Sequence, residues 1–125
     1  MGNFKEDIAG IEAIVMDVDG VFTDGGITPL PDGDFLRTYN AKDGYAVTYA
    51  ISRGLPIIII TGGRGEIIQR RFRYLGITEL HINCADKISK LNDIISRHGF
   101  DPEKMLFMGD DIPDLDCMRT VGIPV

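Results

Sequence analysis

Apolar residues in this chain fall in two patterns. Short unbroken runs alternate with longer stretches in which apolar positions recur every three or four residues. Ala13-Ile14-Val15-Met16 runs directly into Asp17, and four consecutive isoleucines fill Ile57 to Ile60. Short apolar runs rich in β-branched residues predict strands covered on both faces. Strands are therefore expected at Ala13 to Asp17, Pro56 to Thr61, Glu79 to Ile82 and Met105 to Met108. The helical spacing predicts helices over Gly44 to Arg53, Glu66 to Leu75, Lys87 to His98 and Asp114 to Arg119. Asp86 suits the N-cap of the third helix, and Gly54, Gly76 and Gly99 suit the stops of the first three. Alternation of strand and helix predicts an α/β fold, a Rossmann-like parallel sheet flanked by helices.

Two stretches break the alternation. Gly26 to Leu30 and Asp34 to Tyr39 read as extended arms around the turn Pro31-Asp32-Gly33. They predict a β-hairpin over about 26–39, inserted between the first strand and the first helix. It would sit above the carboxyl end of that strand as a lid, an oligomer contact, both, or a passive surface feature. At the other end, Val121-Gly122-Ile123-Pro124-Val125 reads as the start of a fifth strand that the sequence then leaves truncated.

Composition narrows the class. At 125 residues, residues 1–125 suit a single domain with a substantial core. A 44% hydrophobic content with mean hydropathy near zero suits a globular protein. The net charge of −6 argues against nucleic acid as a partner. The apolar run Leu55 to Ile60 is too short to span a bilayer, so no membrane role is expected. The N-terminal residues lack the apolar core of a signal peptide, and Glu6 stands where a myristoylation motif needs Ser or Thr. Cys84 and Cys117 lack metal-ligand spacing and read as reduced thiols of a cytoplasmic protein.

The chemistry gathers at the predicted strand ends. Asp17-Val18-Asp19-Gly20 places two carboxylates at the carboxyl end of the first strand, where ligands bind in parallel sheets. Two such carboxylates repel unless a cation or a shared proton offsets them. Magnesium would do so and would bring in a phosphate. An EF-hand loop is excluded by Val21 and Phe22 and by Thr28 at the twelfth position. Thr61-Gly62-Gly63 ends the second strand with a hydroxyl and free backbone N–H groups, a phosphate-binding pattern that also ends strands for conformational reasons alone. Lys87 opens a helix, where a cation opposes the dipole, so it faces an anion or is simply solvated. Gly109-Asp110-Asp111-Ile112-Pro113-Asp114 closes the fourth strand. Asp17 and Asp110 would supply the two carboxylates magnesium usually takes, with Asp114 acting through water.

Asp17-x-Asp19-Gly20, Thr61, Lys87 and Gly109-Asp110-Asp111-x-x-Asp114, in that order, resemble the haloacid dehalogenase superfamily of phosphohydrolases. Gly20-Val21-Phe22-Thr23-Asp24-Gly25, Asn40-Ala41-Lys42-Asp43-Gly44 and Arg71-x-x-x-Leu75-Gly76-Ile77 resemble its 3-deoxy-D-manno-octulosonate 8-phosphate (KDO 8-phosphate) phosphatases. The resemblance implies a capless core, a homotetramer built through the hairpin, Mg2+ as cofactor and a phosphorylated sugar acid as substrate, in lipopolysaccharide biosynthesis. It implies Asp17 as nucleophile, Asp19 as acid and base, and Thr61 and Lys87 on the phosphoryl oxygens. The metal would bind Asp17, Asp110, the Asp19 backbone carbonyl and, through water, Asp114. Substrate contacts carried over fall on Asp19, Asn40, Ala41, Lys42, Asp43, Gly44, Gly62, Lys87 and Arg71, the last able to pair with a sugar carboxylate or simply to face solvent. Gly63 stands where many members carry arginine, which leaves that specificity contact open. The other functions left open are a phosphatase for another phosphosugar or a nine-carbon ulosonate phosphate, and a non-catalytic tetramerisation module.

Overall fold

The structure is a computed structural model that describes residues 8–125. The segment 1–7, read above for targeting signals, lies outside the described residues. In chain order the elements are β1 (Ala13–Met16), β2 (Thr28–Pro29), β3 (Phe35–Leu36), α1 (Ala41–Ser52), β4 (Ile57–Ile60) and α2 (Glu66–Tyr74). Then follow β5 (Glu79–His81), α3 (Lys87–His98), a 3-10 turn (Pro102–Lys104), β6 (Met105–Met108), a second 3-10 turn (Ile112–Asp114), α4 (Leu115–Thr120) and β7 (Ile123–Pro124).

Five strands form one sheet in the order β5-β4-β1-β6-β7, and every pairing in it is parallel. The chain starts at the centre, moves out through β4 to β5, then returns to the other flank of β1 for β6 and β7. The order therefore reverses between β1 and β6. In open parallel sheets that switch point leaves a crevice beyond the carboxyl ends of the two strands. Asp17 follows β1 there, and Gly109 to Asp114 follow β6.

The isoleucines of β4 show why the fold has three layers. Ile57 and Ile59 pack with Val47 of α1 and with Ile68 and Phe72 of α2. Ile58 and Ile60 pack on the other face with Leu91 and Ile94 of α3 and Cys117 of α4. All four isoleucines are buried, as expected for a central strand covered on both sides. Burial pushes the Cys117 thiol up to about 12.

Helix α1 starts three residues before the expected Gly44. Asn40 caps it, its side chain accepting from the Lys42 N–H at 2.8 Å. Gly44 is a poor helix former, which hid the first turn from a propensity reading. It is there for close approach: a Cβ on Gly44 would lie 2.7 Å from Arg71 Nη2 and 3.3 Å from Leu75 Cδ2.

The inserted hairpin is present but short. Only Thr28 opposite Leu36 and Pro29 opposite Phe35 are paired as strands. Pro29 has no N–H to donate, and the Gly26 N–H is taken by Asp24 Oδ1 at 2.8 Å. Both limits stop the ladder well inside the expected 26–39. Ile27 and Leu36 are exposed, whereas Tyr39 turns inward and meets the Phe72 ring edge-on at 5.5 Å. At the C-terminal end, Ile123 and Pro124 pair with Leu106 and Phe107 as a fifth parallel strand. Among the described residues no helix is long and apolar enough to cross a membrane.

Candidate active site

A cavity of about 660 Å³ opens at the switch point. Asp17, Asp19, Thr61, Gly62, Lys87 and Asp110 all line it. The structure thus gathers residues from four separate segments of the chain. Asp17 extends β1, its N–H donating to the Met108 carbonyl of β6 at 3.0 Å. Its side chain is nearly buried: Oδ1 accepts from the Val18 N–H at 2.7 Å and Oδ2 lies 3.1 Å from Lys87 Nζ. Burial pushes the Asp17 carboxyl above its ordinary value, and the charge of Lys87 opposes that rise.

Lys87 is buried although it opens α3. Besides Asp17 it meets Asp114 Oδ1 at 2.8 Å. Burial alone would lower the Lys87 ammonium, but the bond to Asp114 and the charge of Asp17 more than offset it and hold it above its ordinary value. A lysine between two carboxylates explains a cation in an unfavourable first turn. Asp114 is fully buried and fully used: its Oδ2 accepts from the N–H groups of Asp110 (3.2 Å) and Asp111 (3.4 Å).

One oxygen each from Asp17, Asp110 and Asp114 lie within 4.8 Å of one another. Three carboxylates converging with one lysine leave negative charge in excess, and hard oxygen donors suit magnesium. Gly20 makes this convergence possible. Its φ is +82°, and a Cβ there would fall 1.5 Å from Asp110 Oδ2. Both Asp114 oxygens and both Asp17 oxygens are already engaged, so Asp110 is the freest of the three, and Asp17 stays nearer the cavity than the fully buried Asp114.

Thr61 is buried, and its hydroxyl oxygen accepts from the Gly63 N–H at 3.0 Å, which orients the hydroxyl hydrogen elsewhere. Asp19 is not part of the acidic cluster. Its carboxylate is gripped by Arg37, with Nε 2.7 Å from Oδ1 and Nη2 3.2 Å from Oδ2. The mutual repulsion expected of Asp17 and Asp19 is therefore relieved by a separate cation for each.

Arg37 is the residue that the sequence reading missed. It lies on the hairpin just after β3, lines the cavity, and its side chain is only 2% exposed. Only its position in the inserted hairpin hinted at a role. Gly63, where a specificity contact was left open, stands beside it: a Cβ on Gly63 would lie 3.0 Å from Arg37 Nη2. The guanidinium, Ile68 Cδ1 (2.9 Å) and Thr61 Oγ1 (3.3 Å) together occupy the space that a side chain at 63 would need.

The remaining expected contacts lie elsewhere. Asn40, Ala41, Lys42, Asp43 and Gly44 form the start of α1 and do not line this cavity. Asn40 and Asp43 border a separate hollow of about 460 Å³ with Val21 to Asp24. Arg71 is half-buried against Gly44, its guanidinium carbon 5.6 Å from the centre of the Tyr39 ring. Cys84, by contrast, lines the cavity, which nothing in its sequence context indicated.

No family model matches the chain. Over 115 residues it is 33% identical to the 3-deoxy-D-manno-octulosonate 8-phosphate phosphatase KdsC of Escherichia coli K12, covering 92% of this chain and 61% of that protein. The chain thus spans about three fifths of the length of the curated relatives it matches. The crystal structure of the 3-deoxy-D-manno-octulosonate 8-phosphate phosphatase from Yersinia pestis superposes with a TM-score of 0.90 at 33% identity, over 95% of this chain and 64% of that one. That of the Moraxella catarrhalis phosphatase, in complex with a magnesium ion, a phosphate ion and KDO, gives 0.86 at 28% identity, over 96% and 71%. With its parallel sheet and its acidic strand ends, the chain belongs to the haloacid dehalogenase superfamily and resembles the 3-deoxy-D-manno-octulosonate 8-phosphate phosphatases.

Proposed function

We propose that the chain is the catalytic core of a magnesium-dependent phosphatase that releases phosphate from a phosphorylated sugar acid, with KDO 8-phosphate as the substrate. The observation that carries this reading is the convergence of Asp17, Asp110 and Asp114 within 4.8 Å, in a cavity shared with Asp19, Thr61 and Lys87. The similarity to KdsC and to a phosphatase crystallised with magnesium, phosphate and KDO supports the substrate class.

Asp17 attacks phosphorus, and the bond from phosphorus to the sugar oxygen breaks. Asp19 gives its proton to the departing oxygen. The aspartyl phosphate on Asp17 is then opened by water, whose proton Asp19 takes, and phosphate leaves. Thr61 and Lys87 donate to the phosphoryl oxygens, whose charge persists through the transition state. Asp17 and Asp110 would hold magnesium, with Asp114 behind them. Bound there, the ion neutralises the carboxylates and the phosphoryl charge. A homotetramer closed through the hairpin is part of this proposal, since Ile27, Phe35 and Arg37 of the hairpin stand in the cavity wall.

Phosphate release from p-nitrophenyl phosphate and from KDO 8-phosphate, with and without Mg2+, tests the reading. Asp17→Asn and Asp19→Asn should each abolish turnover while circular dichroism stays that of the parent. Substantial turnover by pure Asp17→Asn enzyme would rule out the nucleophile.

A further inference from the structure

Arg37 has no place in the reaction as written above, yet it holds the carboxylate that moves the protons. Its two-point grip on Asp19, at 2.7 and 3.2 Å, has the fork geometry that suits arginine to a carboxylate. The side chain that makes the grip is itself fixed. It is buried, its guanidinium carbon lies 5.9 Å from the centre of the Phe35 ring, and it occupies the space above Gly63. Asp19 lies beyond the end of β1, past the last rung of its ladder with β6, so the sheet does not fix its side chain. Arg37 does.

A buried arginine that served only the fold would have its donors satisfied. Arg37 does not: its Nη1 is buried without a hydrogen-bond partner. The free energy spent on this orphan and on desolvating the cation is offset mainly by the one carboxylate it grips. The grip also divides the charges of the cavity, leaving Asp17 to Lys87 and Asp19 to Arg37. Without it, Asp19 would be free to turn towards the other buried cation, Lys87.

We propose that Arg37 is the positioning residue for Asp19, holding the proton-transfer carboxylate in place from the inserted hairpin. The proposal rests on the phosphatase reading for its kinetics, though not for its structural test. It also gives Gly63 a function, since the missing side chain makes room for the guanidinium.

Arg37→Met, Arg37→Lys and Gly63→Ala test it, each compared on p-nitrophenyl phosphate and on a sugar phosphate. Misplacing Asp19 should cost most where the leaving group needs a proton. For Arg37→Met, kcat/KM on the sugar phosphate should fall at least about tenfold, with a smaller loss on the aryl ester. Inhibition by inorganic phosphate should hold within about threefold, because the phosphoryl contacts are untouched. Lysine should restore part of the loss, since an ammonium supplies the charge but not the fork. Gly63→Ala, whose Cβ would press on Ile68 Cδ1 and Thr61 Oγ1 as well as on the guanidinium, should show the same preference for the aryl ester only so far as it moves Arg37. Equal losses on both esters, or weaker phosphate inhibition with kcat unchanged, would overturn the proposal in favour of a structural or substrate-binding arginine. If the parent releases no phosphate at all, the phosphatase reading fails instead. A crystal structure of Arg37→Met then decides the inference alone: Asp19 in a new or divided rotamer supports it, and a single unchanged Asp19 conformer overturns it.

Discussion

Replacing Lys87 with methionine should destabilise the fold in proportion to the charge it leaves behind. Methionine keeps most of the apolar stem, so the change isolates the ammonium. In the parent, Nζ lies 3.1 Å from Asp17 and 2.8 Å from Asp114, both nearly or fully buried. Without it two carboxylates face each other across less than 4.8 Å. At an effective dielectric of about 20, that repulsion alone is roughly 3 kcal/mol. Breaking a buried ion pair from one side generally costs about 3–5 kcal/mol. Urea unfolding at pH 7 in EDTA should therefore show a loss of about 3–5 kcal/mol, a large part of the stability of a small domain. The pH dependence has a definite sign. Burial already raises Asp17, and losing Lys87 raises it further, so protonation relieves the variant and the deficit should shrink as pH falls. Mg2+ should recover part of the loss by supplying the missing positive charge. Asp17→Asn in the Lys87→Met background should recover stability rather than lose more. A loss below about 1 kcal/mol, with no coupling to Asp17, would refute the electrostatic account of this triad.

Glu79 is held down to about 2, despite burial, by hydrogen bonds from Arg97, His81 and His98. A depressed carboxyl contributes stability that is present above its ordinary value of 4.5 and is lost as pH falls to about 2. Glu79→Gln should lower neutral-pH stability by about 1–3 kcal/mol, discounted because Arg97 is half-exposed, and flatten the acid limb of a melting-temperature profile. Iodoacetamide at pH 8 should label Cys84 and spare Cys117, whose buried thiol stays protonated, and inorganic phosphate should slow labelling of Cys84 at the cavity wall. Mass mapping of both cysteines reads this directly; label on Cys117 in the folded protein would contradict the burial. Ile27→Asp and Leu36→Asp, at the exposed apolar positions of the hairpin, should dissociate a tetramer in light scattering; a parent already monomeric and fully active would end that proposal.

The sequence showed the site wherever its chemistry is written in strand ends. Asp17 and Asp110 follow apolar runs whose direction is legible, a parallel sheet brings those ends to one edge, and Lys87 stands out as a cation opening a helix behind Asp86. The bounds expected for strand β6 and helix α3 match to the residue, because the unbroken apolar run Met105-Leu106-Phe107-Met108 and the Asp86 cap leave little ambiguity. Helix α1 was started late because Gly44 reads as a breaker until Arg71 and Leu75 are seen pressing on it. The hairpin was read too long, because a run of extended residues does not reveal that Pro29 cannot donate and that Asp24 has already taken Gly26. Arg37 was invisible for a different reason. It and Asp19 are 18 residues apart in a connection of no regular period, so only tertiary structure joins them.

That invisibility shows how the hairpin and the glycines work together. Gly20 lets Asp110 cross the tip of β1, and Gly63 lets Arg37 lie over the tip of β4. Both are places where one element gives up a side chain so that a charged group from another can enter. Asp17 after β1, Lys87 at the start of α3 and Asp114 in the second 3-10 turn form a buried ion-paired triad on the α/β core itself. Asp19 differs, because its cation comes from the insertion and not from the sheet. The hairpin that carries Arg37 is anchored by Tyr39 on Phe72 and exposed at Ile27 and Leu36. Under the proposed mechanism, binding at the hairpin surface should therefore change the step assigned to Asp19 more than the attack assigned to Asp17.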